Sequence, residues 1–295
     1  MRARIDQIEA AIHRDVGRGT DALFQASAGQ LWRAASMLAA LRQPVIGLIT
    51  GFFVPSGRPP AAETDGPAGA ALLARAMAQL NVPCRLATDA ECRSACVAAL
   101  RTAGAADVPV DALRPNDDPA PLLAAWRRHR VNCVIAIERC GPGPDGVPRN
   151  MRGLDMSAHA APLHHLFQAD PWQTIAIGDG GNELGMGSLP HGLIARHVPL
   201  GETIGCIVPA QHLVVAGVSH WGVYALLAAL ALLRPEWADA MRGGLDPALD
   251  LAVVEAMVRD GPAVDGVSLQ QAITIDAQPM AIHHSVLRAI RSAMD

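Results

Sequence analysis

The stretch that most constrains this chain is Gln173-Thr-Ile-Ala-Ile-Gly-Asp-Gly-Gly-Asn-Glu-Leu-Gly-Met-Gly187. Its first residues have the length and β-branched content of a buried strand, which Gly178 ends. The glycines that follow let the backbone turn through positive φ or approach a ligand closely. We therefore expect Asp179, Asn182 and Glu183 at the carboxyl end of a strand, where open α/β sheets bind ligands.

Other interpretations of this glycine-rich stretch fit less well or stay open. A dinucleotide-binding fingerprint needs G-x-G-x-x-G, and here the third glycine is out of place. Phosphatases with a similar acidic loop need an upstream Asp-x-Asp pair, which the chain lacks. A tight connection with no further role remains an alternative on spacing alone.

Three more apolar runs predict buried strands, and each leads into a loop that carries polar residues. These runs are Val45 to Thr50, Val131 to Ile137 and His212 to Val218. Runs that are apolar throughout are typical of parallel strands covered on both faces. The sequence thus predicts an α/β fold with a mostly parallel sheet, helices on both faces and a Rossmann-like three-layer architecture.

The region before the first apolar run is predicted to be helical. Ile5, Ile8 and Ile12 share one helical face, and a second helix should run from Thr20 or Asp21 to about residue 42. We predict an N-terminal helical segment, 1–43, packed on a main α/β domain, 44–295. A further helix is predicted over 157–168.

Composition limits the classes of partner. The formal net charge is -4, and no basic stripe indicates nucleic-acid binding. The most apolar stretch, Val223 to Leu233, is too short to span a bilayer. The first residues do not form a secretory signal, and the six cysteines lack metal or redox spacing. We expect a cytoplasmic protein that binds a small molecule; whether it forms a homo-oligomer stays open.

Candidate ligand-binding residues lie in two Pro- and Gly-rich loops. Asp65 precedes a helix that starts at Pro67, so it either caps that helix or marks an N-terminus that binds an anion. Arg149, Asn150 and Arg152 follow the strand that ends at 137, and guanidinium groups suit carboxylate recognition.

Six segments, in this order, make the chain resemble the D-glutamate cyclase family from about residue 17 to its end. They are Thr50-Gly-Phe52, Glu63-Thr-Asp-Gly-Pro67, Ile137-Glu-Arg139 with Asn150-Met-Arg-Gly153, Gly178-Asp-Gly-Gly-Asn-Glu-Leu-Gly-Met-Gly187, Ser219-His-Trp-Gly222 and Ala263-Val-Asp-Gly266. The resemblance implies conversion of D-glutamate to 5-oxo-D-proline with loss of water, by a carbon-oxygen lyase. Two features depart from the family pattern: His220 stands where Asn is expected, and 52–60 is particular to this chain.

Ring closure needs a base for the α-ammonium, cations for the carboxylates and donors for a developing oxyanion. We assign Asp179 or Glu183 to the base, Glu138 to the acid, and the amides of Gly180 and Gly181 to the oxyanion. The other residues expected at the site are Thr50, Asp65, Arg139, Arg149, Asn150, Arg152, Asn182, Ser219 and His220, the last either a base or a helix cap.

Three questions stay open at this point. No cofactor is required, but Asp65, Asp179 and Glu183 could together hold a hard divalent cation. A non-catalytic sensor of small acids would use the same arginines. A lyase acting on another small dicarboxylic or amino acid is the third alternative.

Overall fold

The fold is built on a six-stranded parallel sheet with two short antiparallel hairpins beside it. The computed structural model describes residues 1–169 and 171–295. The strands are β1 Ile46–Thr50, β2 Phe53–Val54, β3 Ala61–Ala62, β4 Cys84–Asp89, β5 Val110–Leu113, β6 Cys133–Ile137, β7 Gln173–Gly178, β8 His212–Val215, β9 Thr274–Ile275 and β10 Gln278–Pro279.

The order of the main sheet is β5-β4-β1-β6-β7-β8, with every neighbouring pair parallel. From β1 the sheet therefore extends through β4 to β5 on one side. The chain then returns to place β6 on the other side of β1, and the sheet continues through β7 to β8. That reversal creates a crevice outside the carboxyl ends of the strands, where such sheets bind ligands. The predicted α/β architecture is confirmed.

The helices cover both faces of this sheet. They are α1 Arg2–Ile12, α2 Asp21–Ala26, α3 Gln30–Ala40, α4 Pro67–Gln79, α5 Arg93–Ala103, α6 Ala120–Arg128, α7 His164–Phe167, α8 Leu193–His197, α9 Gly201–Ile204, α10 Ser219–Leu233, α11 Ala238–Gly243, α12 Pro247–Asp260 and α13 Met280–Met294.

Alternate residues of the strands pack into two separate apolar cores, one on each face of the sheet. Ile46 and Leu48 of β1 belong to one apolar cluster, while Ile49 belongs to the cluster on the opposite face. Each such side chain stabilises the fold by about 1.5–3 kcal/mol when fully buried. Helix α10 lies in the larger cluster with residues 219–231 all buried, which is why it is apolar on every side.

The N-terminal helices pack on this body, but the predicted helix over 20–42 is wrong. Ile5, Ile8 and Ile12 are fully buried, and α1 contacts α10 and α13. The helical conformation is interrupted between α2 and α3, where Gly29 has a φ of 79°. The amides of Gly29 and Leu31 donate to the Glu9 carboxylate at 2.6 and 2.9 Å. The domain division at residue 44 stays a prediction.

The helix predicted over 157–168 is also wrong, because turns occupy most of that segment. The amides of His159 and Ala160 both donate to the carbonyl of Met156 at 2.8 Å, and Pro162 has no amide hydrogen to continue a helix. Only α7 is helical there. Strand β8, predicted over His212 to Val218, ends at Val215, and α10 begins at Ser219.

All six cysteines are buried and free, as expected of reduced core thiols. Within the part of the chain that the structure describes, no helix combines the length and the apolar character needed to cross a membrane.

Candidate active site

Three buried acids meet at the crevice beside β1. Glu138 follows β6, Asp179 follows β7, and Asp65 lies just before α4. Each offers one oxygen to a group whose atoms all lie within 4.8 Å of one another. Since parallel strands deliver their carboxyl ends to one edge, the sheet itself brings two of these acids together. Glu138 also has a φ of 43°, an uncommon conformation that tends to occur at functional sites.

Ser219, the first residue of α10, binds all three acids. Its amide donates to Asp65 Oδ2 at 3.1 Å and to Asp179 Oδ2 at 2.9 Å. Its hydroxyl donates to Glu138 Oε2 at 2.5 Å. The amino end of a fifteen-residue helix therefore faces the cluster, and its dipole favours negative charge there.

Arg18, which the sequence did not single out, inserts its guanidinium into this cluster. It pairs with Asp179 and, at 2.7 Å, with Asp276. The loop that presents it is fixed by Asp15, whose carboxylate accepts from the amides of residues 17–19 and from the hydroxyl of Thr20. Gly17 and Gly19 flank Arg18 with positive φ, so the turn depends on both glycines.

Arg18, Glu138, Asp179 and Asp276 line a cavity of about 210 Å³, whereas Asp65 and Ser219, also predicted to bind a substrate, do not line it. That volume is below the roughly 300–1,000 Å³ typical of sites for drug-sized ligands, so the cavity suits a small molecule. The residues that line it are Arg18, Phe52, Phe53, Val54, Glu63, Glu138, Asn150, Met151, Arg152, Asp179, Asn182, Gly266, Val267 and Asp276. Of the residues predicted for the site, Asn150, Arg152 and Asn182 join Glu138 and Asp179 here.

Burial perturbs the acids of the cavity in the same direction. Desolvation, with repulsion from neighbouring carboxylates, raises the pKa of Glu63, Asp65 and Glu138 well above the usual range. Burial also raises the pKa of Asp276 to about 6, although Arg18 opposes that rise. The pKa of Arg18 is raised in turn, because its carboxylate partners outweigh desolvation.

Glu183 holds the glycine loop and is not free to act as a base. Its Oε1 accepts from the amides of Asp179 at 3.4 Å and Gly180 at 2.7 Å, and its Oε2 accepts from Gly181 at 2.7 Å. The same contacts occupy the amides that we expected to stabilise an oxyanion. The roles predicted for Glu183, Gly180 and Gly181 are therefore corrected to structural ones.

Two of the predicted arginines are engaged elsewhere. Arg139 is buried and forms a double ion pair with Asp89, and it also donates to the carbonyls of Gly51 and Ala161 at 2.9 and 2.8 Å. Arg149 pairs with Asp145 at 2.7 Å and does not line the cavity. Neither guanidinium is placed to bind a substrate in this cavity, so both substrate-binding assignments are corrected.

Thr50 and His220 are fully buried and do not line the cavity. The hydroxyl of Thr50 is fully buried without a hydrogen-bond partner. His220 Nε2 contacts Asp250 Oδ1 at 2.7 Å, and Asp250 also accepts from Tyr224. His220 is therefore part of a buried polar network rather than a base or a cap in contact with a ligand.

The acids grouped by the structure differ from the predicted cation set. Asp65, Glu138 and Asp179 come together, whereas Glu183 is held by backbone amides. Sequence reasoning also missed Glu63, Arg18 and Asp276. Glu63 stands in one of the six segments that carry the family resemblance, whereas the glycines on each side of Arg18 indicate a turn and not its place in the fold.

The fold and cavity together define a class: a parallel α/β domain with a small, acid-lined site at the point where its strand order reverses. The chain matches the family model described as D-glutamate cyclase-like, C-terminal, over residues 8–291, and it belongs to that family. It is 31% identical to the mitochondrial D-glutamate cyclase of Homo sapiens over 252 residues. That alignment covers 78% of this chain and 39% of the human protein, so the chain matches well under half of that relative.

Proposed function

We propose that this chain closes D-glutamate into 5-oxo-D-proline with loss of water. The observation that carries the proposal is the pairing of one partly buried guanidinium, Arg18, with the two carboxylates of Asp179 and Asp276 at a cavity of about 210 Å³. D-glutamate offers the complementary groups, two carboxylates and one ammonium. The name of the human relative, D-glutamate cyclase, supports the same reaction.

In this proposal the two carboxylates of the substrate bind two different arginines. Arg152 lies at the exposed rim of the cavity and faces the α-carboxylate. Arg18 lies deeper and faces the γ-carboxylate, where its remaining N–H donors stabilise charge on the carboxyl oxygen. Holding both ends folds the chain of the substrate so that its nitrogen approaches the carbon of the γ-carboxylate, which lowers the entropic cost of closure.

Asp276 is the group that we assign to remove a proton from the ammonium. Its pKa of about 6 leaves it ionised at neutral pH yet basic enough to accept a proton. Asp179 is less suited, because one of its oxygens pairs with Arg18 and the other accepts from the amide of Ser219. We therefore assign Asp179 to positioning Arg18 and, with Glu138, to the floor of the site.

The reaction balances without an activating co-substrate. The nitrogen forms a bond to the carbon of the γ-carboxylate, and the bond from that carboxyl carbon to one of its oxygens breaks. The two protons that the ammonium gives up leave with that oxygen as water.

The test is to follow 5-oxoproline formation from D-glutamate by the wild-type protein and by Asp179→Asn. We expect Asp179→Asn to lose most of the turnover while circular dichroism shows the fold unchanged. Asp6→Asn serves as the matched control, because Asp6 is an exposed partner of Arg2 and does not line the cavity. Unchanged turnover in Asp179→Asn would remove this residue from the mechanism. D-glutamate binding to the wild type without any product would favour the sensor instead.

A further inference from the structure

We propose that Asp65, Glu138 and Asp179 bind one hard divalent cation of the Mg²⁺ or Mn²⁺ type. Their oxygens lie within 4.8 Å of one another, and the three residues are 2%, 7% and 2% exposed. The proposal concerns binding, which stands apart from the reaction proposed above.

Buried oxygen atoms that lack partners point independently to a ligand at this place. Asn182 is 1% exposed, and its Oδ1 has no hydrogen-bond partner although its Nδ2 donates to the carbonyl of Arg149 at 2.8 Å. Glu63 is 8% exposed and its Oε1 also lacks a partner. Both side chains line the same cavity as Glu138 and Asp179. Buried polar atoms without partners cost free energy, so each is expected to meet a group that is bound there.

The Thr50 hydroxyl is a third such atom, close to the acids although Thr50 does not line the cavity. A Cβ on residue 66 would lie 2.7 Å from Thr50 Oγ1 and 2.9 Å from Glu138 Cβ. Gly66 leaves that space open, so Thr50 Oγ1 is a neighbour of Glu138 and of the residue that follows Asp65.

The balance of charge also calls for a cation. In the described part of the chain, the carboxyl groups of Glu63, Glu138, Asp179 and Asp276 line the cavity, and that of Asp65 lies beside those of Glu138 and Asp179. Only two guanidinium groups line the cavity in the described chain, those of Arg18 and Arg152, and Arg152 lies at the exposed rim. Buried charges in proteins are paired or coordinate metals.

The donor atoms decide the kind of cation. Carboxylate and amide oxygens suit Mg²⁺ and Mn²⁺, whereas Zn²⁺ prefers imidazole and thiolate. No histidine or cysteine is among the residues that line the cavity in the described chain. With few protein carboxylates, such a cation keeps other positions for water or for oxygens of a substrate. In the proposed reaction, a cation held here would polarise the γ-carboxylate of D-glutamate bound at one of those positions.

The test uses the full chain, treated with EDTA and then desalted, without substrate. Mn²⁺ binding is measured from the loss of the free-ion signal in electron paramagnetic resonance, and Mg²⁺ binding by competition. We expect one Mn²⁺ per chain, displaced by Mg²⁺, and at least about a tenfold loss of affinity in Glu138→Gln and in Asp65→Asn. The matched controls Glu236→Gln and Asp6→Asn, both at exposed acids, should bind Mn²⁺ like the wild type.

Circular dichroism and thermal melting of each variant show whether it folds, and Asp179→Asn replaces any variant that does not. In the wild type, Mn²⁺ should raise the melting temperature, because a ligand that binds the folded state stabilises it. The proposal is overturned if the wild type binds neither ion at millimolar concentration, or if folded Glu138→Gln and Asp65→Asn bind Mn²⁺ unchanged. These measurements involve no turnover, so a failed cation site and a failed cyclase reaction give different results.

Discussion

Replacing Glu183 by Gln separates a structural role from a chemical one. The carboxylate gives one oxygen to the amide of Gly181 and the other to those of Gly180 and Asp179. Glutamine keeps one acceptor oxygen but turns an NH₂ group towards the amide that loses its partner. We therefore expect the variant to lose a charge-assisted hydrogen bond and to leave one buried amide unpaired.

The magnitude follows from those two losses. A hydrogen bond to a charged group contributes about 1.5–3 kcal/mol, and an unpaired buried donor costs about 1–3 kcal/mol. With partial relaxation of the loop, we expect Glu183→Gln to lower the free energy of unfolding by about 3 kcal/mol. For a chain of this size, that corresponds to a fall in Tm of roughly 5–10 °C.

Urea denaturation followed by tryptophan fluorescence measures this change, with Glu236→Gln as the exposed control. A lower midpoint at an unchanged m-value would show that stability alone has changed. The structural assignment of Glu183 is refuted if the unfolding free energy stays within about 0.5 kcal/mol of wild type while turnover from D-glutamate collapses.

Three further predictions concern Asp276, Arg18 and His283. Because Asp276 must be ionised to act as a base, kcat/KM should fall about tenfold per pH unit below pH 6, and Asp276→Asn should lose about 10²–10⁴-fold in kcat; a flat profile would contradict the assignment. Arg18→Met should raise KM for D-glutamate by about 30–150-fold through loss of charged hydrogen bonds worth about 2–3 kcal/mol, and an unchanged KM would remove Arg18 from substrate binding. Burial lowers the pKa of His283 to about 4, so the unfolded chain takes up the proton first as pH falls, and the contribution of His283 to stability should drop by about 3 kcal/mol between pH 7 and pH 4. Urea denaturation at both pH values should show a fall in stability smaller by about that amount in His283→Asn than in the wild type, and equal falls in the two proteins would contradict the prediction.

The sheet and its edge could be predicted because apolar runs report burial on both faces. Such runs define parallel strands, and parallel strands deliver their carboxyl ends to one edge. That reasoning was enough to bring Glu138 and Asp179 to one site. Asp65 was expected near the site from its place before a helix that starts at Pro67, and it lies there.

The partners of charged side chains could not be predicted in the same way. Arg139 follows a buried strand like an active-site residue, but Asp89, fifty positions earlier, ends the strand two places away in the sheet and takes its guanidinium. Glu183 looked catalytic because the sequence does not show that three amides of its own loop need an acceptor. Arg18 reaches the site through tertiary packing of the N-terminal segment, which no local pattern reports.

The most direct test of the proposed reaction is incubation of the purified chain with D-glutamate or L-glutamate, with and without EDTA. Chiral chromatography then measures 5-oxoproline. We predict 5-oxo-D-proline from the D-isomer alone, with its formation suppressed by EDTA and restored by Mn²⁺ or Mg²⁺. The absence of product from either isomer, in the presence of both ions, would contradict the proposed reaction.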